Sequence, residues 1–209
     1  MKDNIITVKR KTTESEITVV LDCNKLKSDY RKRIKTPITF LNHMIEQIAW
    51  RAELNIEIDV KLDEFYLSHV VCEDVGIAFG KAVAEYMKTN ADNGVMGFGD
   101  GIGIIDEAMA RSVISFESRA LFQFDHHGNT IPAETEGMLS EDVETFLENF
   151  VQGAMCTLHV DLLKGRNGHH IWEAVYRSFG IALKRAMTLS ESRKGLTSGV
   201  AGKVEFEIN

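Results

Sequence analysis

An internal repeat with an offset of one hundred residues constrains the fold of this chain more than any other feature. Residues 69–87 align without a gap on residues 169–187. Each copy follows a helix-like segment and then a strand-like segment, so a duplicated half explains the pattern better than one continuous fold. The matched pairs are His69/His169, Glu73/Glu173, Val75/Val175, Phe79/Phe179, Gly80/Gly180, Ala82/Ala182 and Met87/Met187.

The local patterns predict an α+β protein of two half-domains, residues 1–91 and 92–209, each with a mostly antiparallel or mixed β-sheet covered by helices. Alternating apolar and polar residues predict strands, and apolar residues at helical spacing predict helices, with Ser140 expected as the N-cap of the third helix. The predicted strands are "NIITVKRKT", "SEITVVLD", "LNIEIDVKL", a pair within "ARSVISFESRALFQFD", and "CTLHVDLL". The predicted helices are "TFLNHMIEQIAWRA", "EDVGIAFGKAVAEYMK", "SEDVETFLENFVQGAM" and "HHIWEAVYRSFGIALKRAM".

Composition excludes several classes of partner. The net charge of -7 over 209 residues argues against nucleic acid or an acidic membrane as a partner. The start, "MKDNIITVKR", lacks the apolar stretch of a signal peptide, and no segment approaches the length of a membrane span. Three cysteines without a CxxC spacing indicate reduced thiols, so the cytoplasm is the expected compartment.

The repeated histidine and glutamate are candidate metal ligands. At positions i and i+4 they share one face of a helix, so the pairs His69/Glu73 and His169/Glu173 could each bind one ion. His170 lies about 100° further round the helix and would face a different ion. Imidazole with carboxylate suits manganese, zinc or iron better than magnesium or calcium. A structural histidine beside a carboxylate is the alternative, and it is less favoured because the pair occurs twice.

Other possible donors have weaker support from the sequence. Cys72 lies on the opposite side of His69 from Val70, which makes it a poor candidate ligand. His126 and His127 are expected in a solvated turn, although a neighbouring subunit could receive them. His159 alternates like a strand residue and is expected in the core or beside a ligand.

Several motifs together resemble the imidazoleglycerol-phosphate dehydratase family. The segments "FLNHMIEQ", "HVVCEDVGIAFG", "IIDEAMAR", "TLHVDLLKGRNGHHIWEA" and "SRKG" occur in the order and spacing of that family, and "KRKTTESEI" resembles its N-terminal motif. The resemblance implies a tandem fold of the ribosomal protein S5 domain 2 type and a dehydration step in histidine biosynthesis. It also implies trimers that assemble into a 24-mer, with two manganese ions per active site lying between subunits.

The resemblance implies two ligand sets, and each of them lacks one member. The first set falls on His43, His169 and Glu173, with Val70 in place of a histidine. The second falls on His69, Glu73 and His170, with Thr145 in place of a histidine. Valine cannot bind a metal, and threonine is a poor neutral ligand. Each ion is therefore expected to keep three protein ligands, with manganese as the expected metal and zinc or iron as alternatives.

The resemblance also assigns residues to a small phosphorylated substrate. Glu14 matches the acid that acts on the glycerol chain of the substrate. Two departures concern the phosphate: Gly97 replaces an arginine, and Arg51 replaces a helix histidine. Arg51 either compensates for the lost arginine or is an unrelated surface residue. The expected phosphate-binding residues are Gln47, Arg51, Arg119, Ser192 and Lys194.

Three functions are compatible with these residues. The first is a metal-dependent dehydratase of the family with altered ligands, whose activity on imidazoleglycerol phosphate is absent or much reduced. The second is a divergent paralogue that acts on another phosphorylated heterocycle. The third is a non-catalytic, metal-binding homo-oligomer.

Overall fold

Two halves with the same succession of elements make up the protein, which is described by a computed structural model over residues 4–197 and 199. The first half contains β1 (Ile5–Lys11), β2 (Ser15–Asp22), β3 (Ile34–Lys35), α1 (Thr39–Ala52), β4 (Asn55–Leu62) and α2 (Ser68–Thr89). The second half contains β5 (Phe98–Ile105), β6 (Ala108–Ser115), β7 (Leu121–Asp125), β8 (Glu134–Thr135), β9 (Met138–Leu139), α3 (Ser140–Ala154), β10 (Thr157–Lys164) and α4 (Gly168–Met187). Short 3-10 turns lie at Tyr30–Arg33, Ala91–Asn93 and Glu191–Arg193.

The sheets of the two halves have the same topology. The strand orders are β1-β2-β4-β3 and β5-β6-β10-β7, and β8 and β9 form a separate small hairpin. In both four-stranded sheets three strands pair antiparallel, and the last strand in the order runs parallel to its neighbour. The predicted α+β class, with duplicated mixed sheets covered by helices, is thereby confirmed. The boundary between residues 91 and 92 falls in the turn Ala91–Asn93 and stays a prediction.

The helices of the two halves pack on each other at the glycines that the repeat aligned. A Cβ on Gly80 in α2 would lie 2.2 Å from the carbonyl oxygen of Phe150 in α3. A Cβ on Gly180 in α4 would lie 3.0 Å from the Cα of Ile48 in α1. Each glycine thus lets two backbones approach closely, and buried residues of both halves form one hydrophobic core. Packing of α1 on α4 brings His43 on α1 close to His169 and Glu173 on α4.

Strand β5 was not predicted, because its sequence "FGDGIGII" is rich in glycine. Glycine usually weakens a strand, but here three glycines face α4 at very short range. A Cβ on Gly99, Gly101 or Gly103 would lie 2.1, 2.4 or 2.1 Å, respectively, from a carbonyl oxygen of α4. The glycines therefore set the distance between the second sheet and the helix that carries His169, His170 and Glu173.

Replacing Gly101 by alanine is expected to destabilise the fold by about 1–3 kcal/mol, since the contacted atoms are backbone and cannot rotate away. The midpoint of urea unfolding measures this change. Asp100→Ala is the matched control on the same strand, because its side chain is 56% exposed and its ion pair with Arg185 lies at the surface. We expect Asp100→Ala to change the stability by less than about 0.5 kcal/mol. Equal midpoints for the two variants would contradict this account of β5.

One local prediction was wrong. The N-cap of α3 is Leu139, which makes no side-chain cap, and Ser140 is the first helical residue. The Ser140 hydroxyl is turned inward, where it donates to the carbonyl oxygen of Pro132 (2.6 Å) and accepts from Nε1 of Trp172 (3.1 Å). Its hydrogen bonds join α3 to α4 and to the preceding loop, which a local capping rule does not anticipate.

Candidate active site

His43, His169 and Glu173 come together where α1 packs on α4. Nε2 of His43 lies 3.6 Å from Oε2 of Glu173, and Nε2 of His169 lies 3.3 Å from the same oxygen. The centroids of the two imidazole rings are 5.2 Å apart. One donor atom from each of the three residues lies within 4.8 Å of the others. The structure thus groups, within one chain, the three residues that the family resemblance assigned to one ion.

The separations between the Glu173 carboxylate and the two imidazoles fit a divalent metal ion. Donor atoms bound about 2.0–2.2 Å from an ion at tetrahedral or octahedral angles lie about 2.8–3.6 Å from each other. The two measured imidazole–carboxylate separations, 3.6 and 3.3 Å, lie in that range. Two imidazoles and one carboxylate are ligands that manganese, iron and zinc accept.

Arg177 holds the buried carboxylate of Glu173 in place. The Glu173 side chain is only 6% exposed, and its Oε1 accepts a hydrogen bond from Nη2 of Arg177. Arg177 also donates to Oε1 of Gln47 (3.0 Å) and to the carbonyl oxygen of Ile104 (2.8 Å). A buried carboxylate needs such a cation, and here the cation leaves Oε2 of Glu173 facing the two histidines. Sequence reasoning missed Arg177, although it lies four residues after Glu173 on the same helix.

The second predicted set is only partly assembled within one chain. Nε2 of His69 lies 3.6 Å from Oε2 of Glu73, as the i, i+4 spacing predicts. His170 faces a different direction, since its ring makes an angle of 85° with that of His169. Nδ1 of His170 lies 2.8 Å from Oε2 of Glu107, and this hydrogen bond lowers the pKa of Glu107 to about 2. Among residues 4–197 and 199, no three-ligand group combines His170 with His69 and Glu73.

A further group of three possible donors lies at the end of the second sheet. Nε2 of His127 lies 2.8 Å from Oδ1 of Asp161, and Asp125 completes the group. Arg111 already pairs with Asp161 at 2.8 Å, so a cation is present without any metal. His159 is exposed on β10, on the face opposite the helices, so it does not lie in the core; the alternative place beside a ligand stays a prediction.

The positions that lack a predicted ligand are not filled by a neighbouring donor. Val70 lies half-buried on α2, and Thr145 lies half-buried on α3. Cys72 is fully buried in the core, and burial raises the pKa of its thiol. Since only the thiolate binds metal, the structure agrees with the expectation that Cys72 is a poor candidate ligand.

Glu14 shares a cavity with Val70. The cavity has a volume of 250 Å³ and is lined also by Asp63, Phe65 and Leu67. Glu14 is exposed in the turn between β1 and β2, where its backbone N–H donates to Oγ1 of Thr12 at 3.1 Å. An exposed carboxylate at the wall of a cavity is free to approach a bound molecule.

Two of the predicted phosphate residues lie on α1, further along the helix than His43. Gln47 is buried, and its side-chain oxygen is occupied by Arg177. Arg51 lines a cavity of 730 Å³ together with Lys25 and Lys184. Among the described residues, Nε of Arg51 is buried and has no hydrogen-bond partner. Arg51 therefore contributes positive charge to a concave surface.

The other three predicted phosphate residues lie on loops at one end of the second half. Arg119 is exposed and pairs with Glu117 at 2.7 Å, and Lys194 follows the turn Glu191–Arg193 that contains Ser192. Gly97 is close to the same loops and has a φ of 68°, a conformation that disfavours the arginine of the family. Within the described part of the chain, no hydrogen bond or ion pair joins these residues to the His43 cluster.

The protein has a tandem α+β fold, and imidazole and carboxylate donors lie at the junction of its two halves. Comparison with known proteins identifies the class that has these features. The profile of imidazoleglycerol-phosphate dehydratase matches residues 36–183. Imidazoleglycerol-phosphate dehydratases from Burkholderia vietnamiensis and Burkholderia ambifaria are 34% identical over 200 residues, which cover 94% of this chain and 97% of theirs.

Solved structures of the same enzyme agree with this result. The imidazoleglycerol-phosphate dehydratase of Staphylococcus aureus has a TM-score of 0.75 at 26% identity and covers 88% of this chain and 100% of its own. That of Pyrococcus furiosus has a TM-score of 0.77 at 27% identity and covers 94% and 99%, respectively. The chain belongs to the imidazoleglycerol-phosphate dehydratase family, whose members are hydro-lyases of histidine biosynthesis.

Proposed function

We propose that this protein is a metal-dependent dehydratase that acts on imidazoleglycerol phosphate with a turnover far below that of its relatives. The convergence of His43, His169 and Glu173 carries the proposal, because two imidazoles and a carboxylate from two helices lie close enough together to hold one ion. Manganese is the proposed ion, and zinc and iron are the alternatives that the donor set allows. Each ion would keep open positions for water or substrate, since only three protein ligands are present.

Different residues of the chain are proposed to perform different parts of the reaction. A divalent ion bound by the cluster supplies a Lewis acid that polarises a ring nitrogen of the substrate. Glu14 is the proposed base that removes a proton from the glycerol chain, in line with its position at the cavity wall. Arg177 holds the carboxylate of Glu173 oriented toward the two imidazoles.

The phosphate of the substrate is proposed to bind the cationic residues of two regions. Arg51 beside the 730 Å³ cavity supports one of them, and the loops with Arg119, Ser192 and Lys194 support the other. Because no described hydrogen bond or ion pair joins the loops with Arg119, Ser192 and Lys194 to the His43 cluster, residues of different subunits would complete one site. The proposed assembly is therefore a homo-oligomer, from a trimer to a 24-mer.

The cytoplasm is the proposed compartment. Cys23, Cys72 and Cys156 are free thiols, which suits a reducing environment. Within the described residues, no helix is both long enough and apolar enough to cross a membrane.

A second candidate function is dehydration of another phosphorylated heterocycle. Val70, Thr145 and Gly97 favour it, because they change both ligand sets and the phosphate site together. A panel of phosphorylated imidazoles and related heterocycles, assayed beside imidazoleglycerol phosphate, discriminates the two functions by the ratio of their kcat/KM values.

The purified protein is expected to bind manganese, with fewer equivalents or weaker affinity than two tightly held ions per subunit. Elemental analysis after dialysis measures the metal, and an assay with imidazoleglycerol phosphate and added manganese measures turnover. Glu85→Gln is a suitable control, since Glu85 is an exposed carboxylate on α2. No uptake of manganese, zinc or iron would refute the ligand assignment. Turnover equal to that of an ordinary relative would show that three ligands per ion suffice.

A further inference from the structure

Each of the four predicted histidine ligands has a carboxylate at its Nδ1 atom. We infer that these four carboxylates are positioning residues, which hold each imidazole so that Nε2 is the atom presented to the metal. The inference rests on the proposed metal binding. The pairs are His43/Glu46, His169/Glu136, His69/Asp142 and His170/Glu107.

Two of the pairs belong to the cluster around Glu173. Nδ1 of His43 lies 3.4 Å from Oε2 of Glu46, and Nδ1 of His169 lies 3.1 Å from Oε1 of Glu136. Both Nε2 atoms then face Oε2 of Glu173. The two nitrogens of each ring therefore have different partners. Nδ1 contacts a carboxylate outside the cluster, and Nε2 faces the carboxylate of Glu173, which both rings share.

The other two pairs belong to the second ligand set. Nδ1 of His170 lies 2.8 Å from Oε2 of Glu107. Nδ1 of His69 lies 3.4 Å from Oδ1 of Asp142, while its Nε2 faces Glu73 at 3.6 Å. Glu73 and Asp142 thus occupy opposite nitrogens of one ring, so Asp142 cannot share an ion with Glu73 through the same nitrogen.

The chemistry of imidazole explains why this arrangement matters. A neutral ring carries one N–H donor and one lone pair, and a carboxylate that accepts the N–H fixes which nitrogen keeps the lone pair. Histidines that bind metals commonly donate their other N–H to such a partner, which also fixes the orientation of the ring. With a carboxylate accepting at each of the four Nδ1 atoms, each Nε2 keeps its lone pair for a metal; Nε2 of His170 itself lies 3.7 Å from Oδ2 of Asp106.

Asp142 is the most informative of the four carboxylates. Its side chain is only 4% exposed, and its second oxygen accepts a hydrogen bond from the Ser68 hydroxyl at 2.5 Å. It lies on α3, one turn before Thr145, where the family has its histidine ligand. Compared with the family, helix α3 lacks a direct ligand at Thr145. Asp142 on the same helix nevertheless contacts His69 of the second set.

Manganese titration of the metal-free protein tests the inference. Glu46→Gln and Glu136→Gln are expected to weaken manganese binding by the His43 cluster about 10–100-fold, and Asp142→Asn and Glu107→Gln are expected to weaken binding by the second ligand set to the same extent. Asp100→Asn is the control, since Asp100 is exposed on β5 and contacts none of the histidines. An unchanged manganese concentration at half-saturation in all four variants would overturn the inference.

A comparison of two variants at position 142 separates positioning from a purely structural role. Asparagine keeps an oxygen at the position that faces Nδ1 of His69, whereas leucine does not. Asp142→Asn should therefore bind manganese more tightly than Asp142→Leu, even when both have the same unfolding midpoint without metal. Equal binding by both variants would argue against positioning.

Imidazole nitrogen chemical shifts of the metal-free protein give a readout that does not depend on metal. The four rings are expected to carry their proton on Nδ1, and Glu107→Gln should raise the share of the Nε2–H form of His170. Rings with the proton on Nε2 in the wild-type protein would overturn the inference directly. A wild-type protein that shows Nδ1–H rings but takes up no manganese would instead refute the proposed function.

Discussion

The double variant Val70→His with Thr145→His is expected to bind two manganese ions per subunit and to gain turnover on imidazoleglycerol phosphate. Each substitution restores the imidazole that one ligand set lacks. Loss of a residue beside a metal ligand weakens binding about 10–100-fold, so restoring a direct ligand should strengthen each site by at least about that factor. Turnover should rise with occupancy if, as proposed, metal ions hold the substrate ring. Elemental analysis and a dehydratase assay measure the two effects.

The structure allows both substitutions. Val70 is half-buried and lines the 250 Å³ cavity that also contains Glu14, so an imidazole has room beside the proposed base. Thr145 is half-buried on α3, and its side chain makes none of the described hydrogen bonds. Val70→Leu with Thr145→Val is the matched control, which changes size without adding a donor. If the double histidine variant and this control bind equal amounts of metal, the two positions do not belong to the ligand sets.

Periodicity and the repeat predicted most of the fold. The spacing of Leu41, Ile45 and Ile48 predicted α1, and all three side chains are fully buried. The alignment of Gly80 with Gly180 predicted equivalent halves, which the matching sheet topologies confirm. Both signals are local or come from a duplication, so they can be read without knowledge of contacts between distant segments.

Contacts between distant segments explain what the sequence did not predict. Strand β5 depends on the close approach of α4 to its glycines, which propensity alone argues against. Glu46 lies three residues after His43, so helical spacing alone could have predicted their contact. Glu136 and Asp142, by contrast, reach their histidines only through the packing of loops and helices from other parts of the chain. Charged partners of this kind have no fixed offset in sequence.

Removal of metal is expected to dissociate the proposed homo-oligomer. Within the part of the chain described, His43, His169 and Glu173 form one cluster, but His170 is not grouped with His69 and Glu73. An ion that uses both parts of the second set must then take them from different subunits. Such an ion stabilises the assembly by its binding free energy, because separated subunits offer only an incomplete site.

Size-exclusion chromatography with light scattering measures this effect. With manganese present the protein should elute as a large homo-oligomer, and after treatment with a chelator it should elute as smaller species that reassemble when manganese is restored. Glu73→Gln should assemble poorly even with manganese, since it removes the carboxylate of the second set. Glu85→Gln, an exposed carboxylate on the same helix, should assemble as the wild type does. A monomer in the presence of manganese would refute the assembly. A large particle that keeps its size without metal would show that apolar contacts between subunits, rather than shared ions, hold it together.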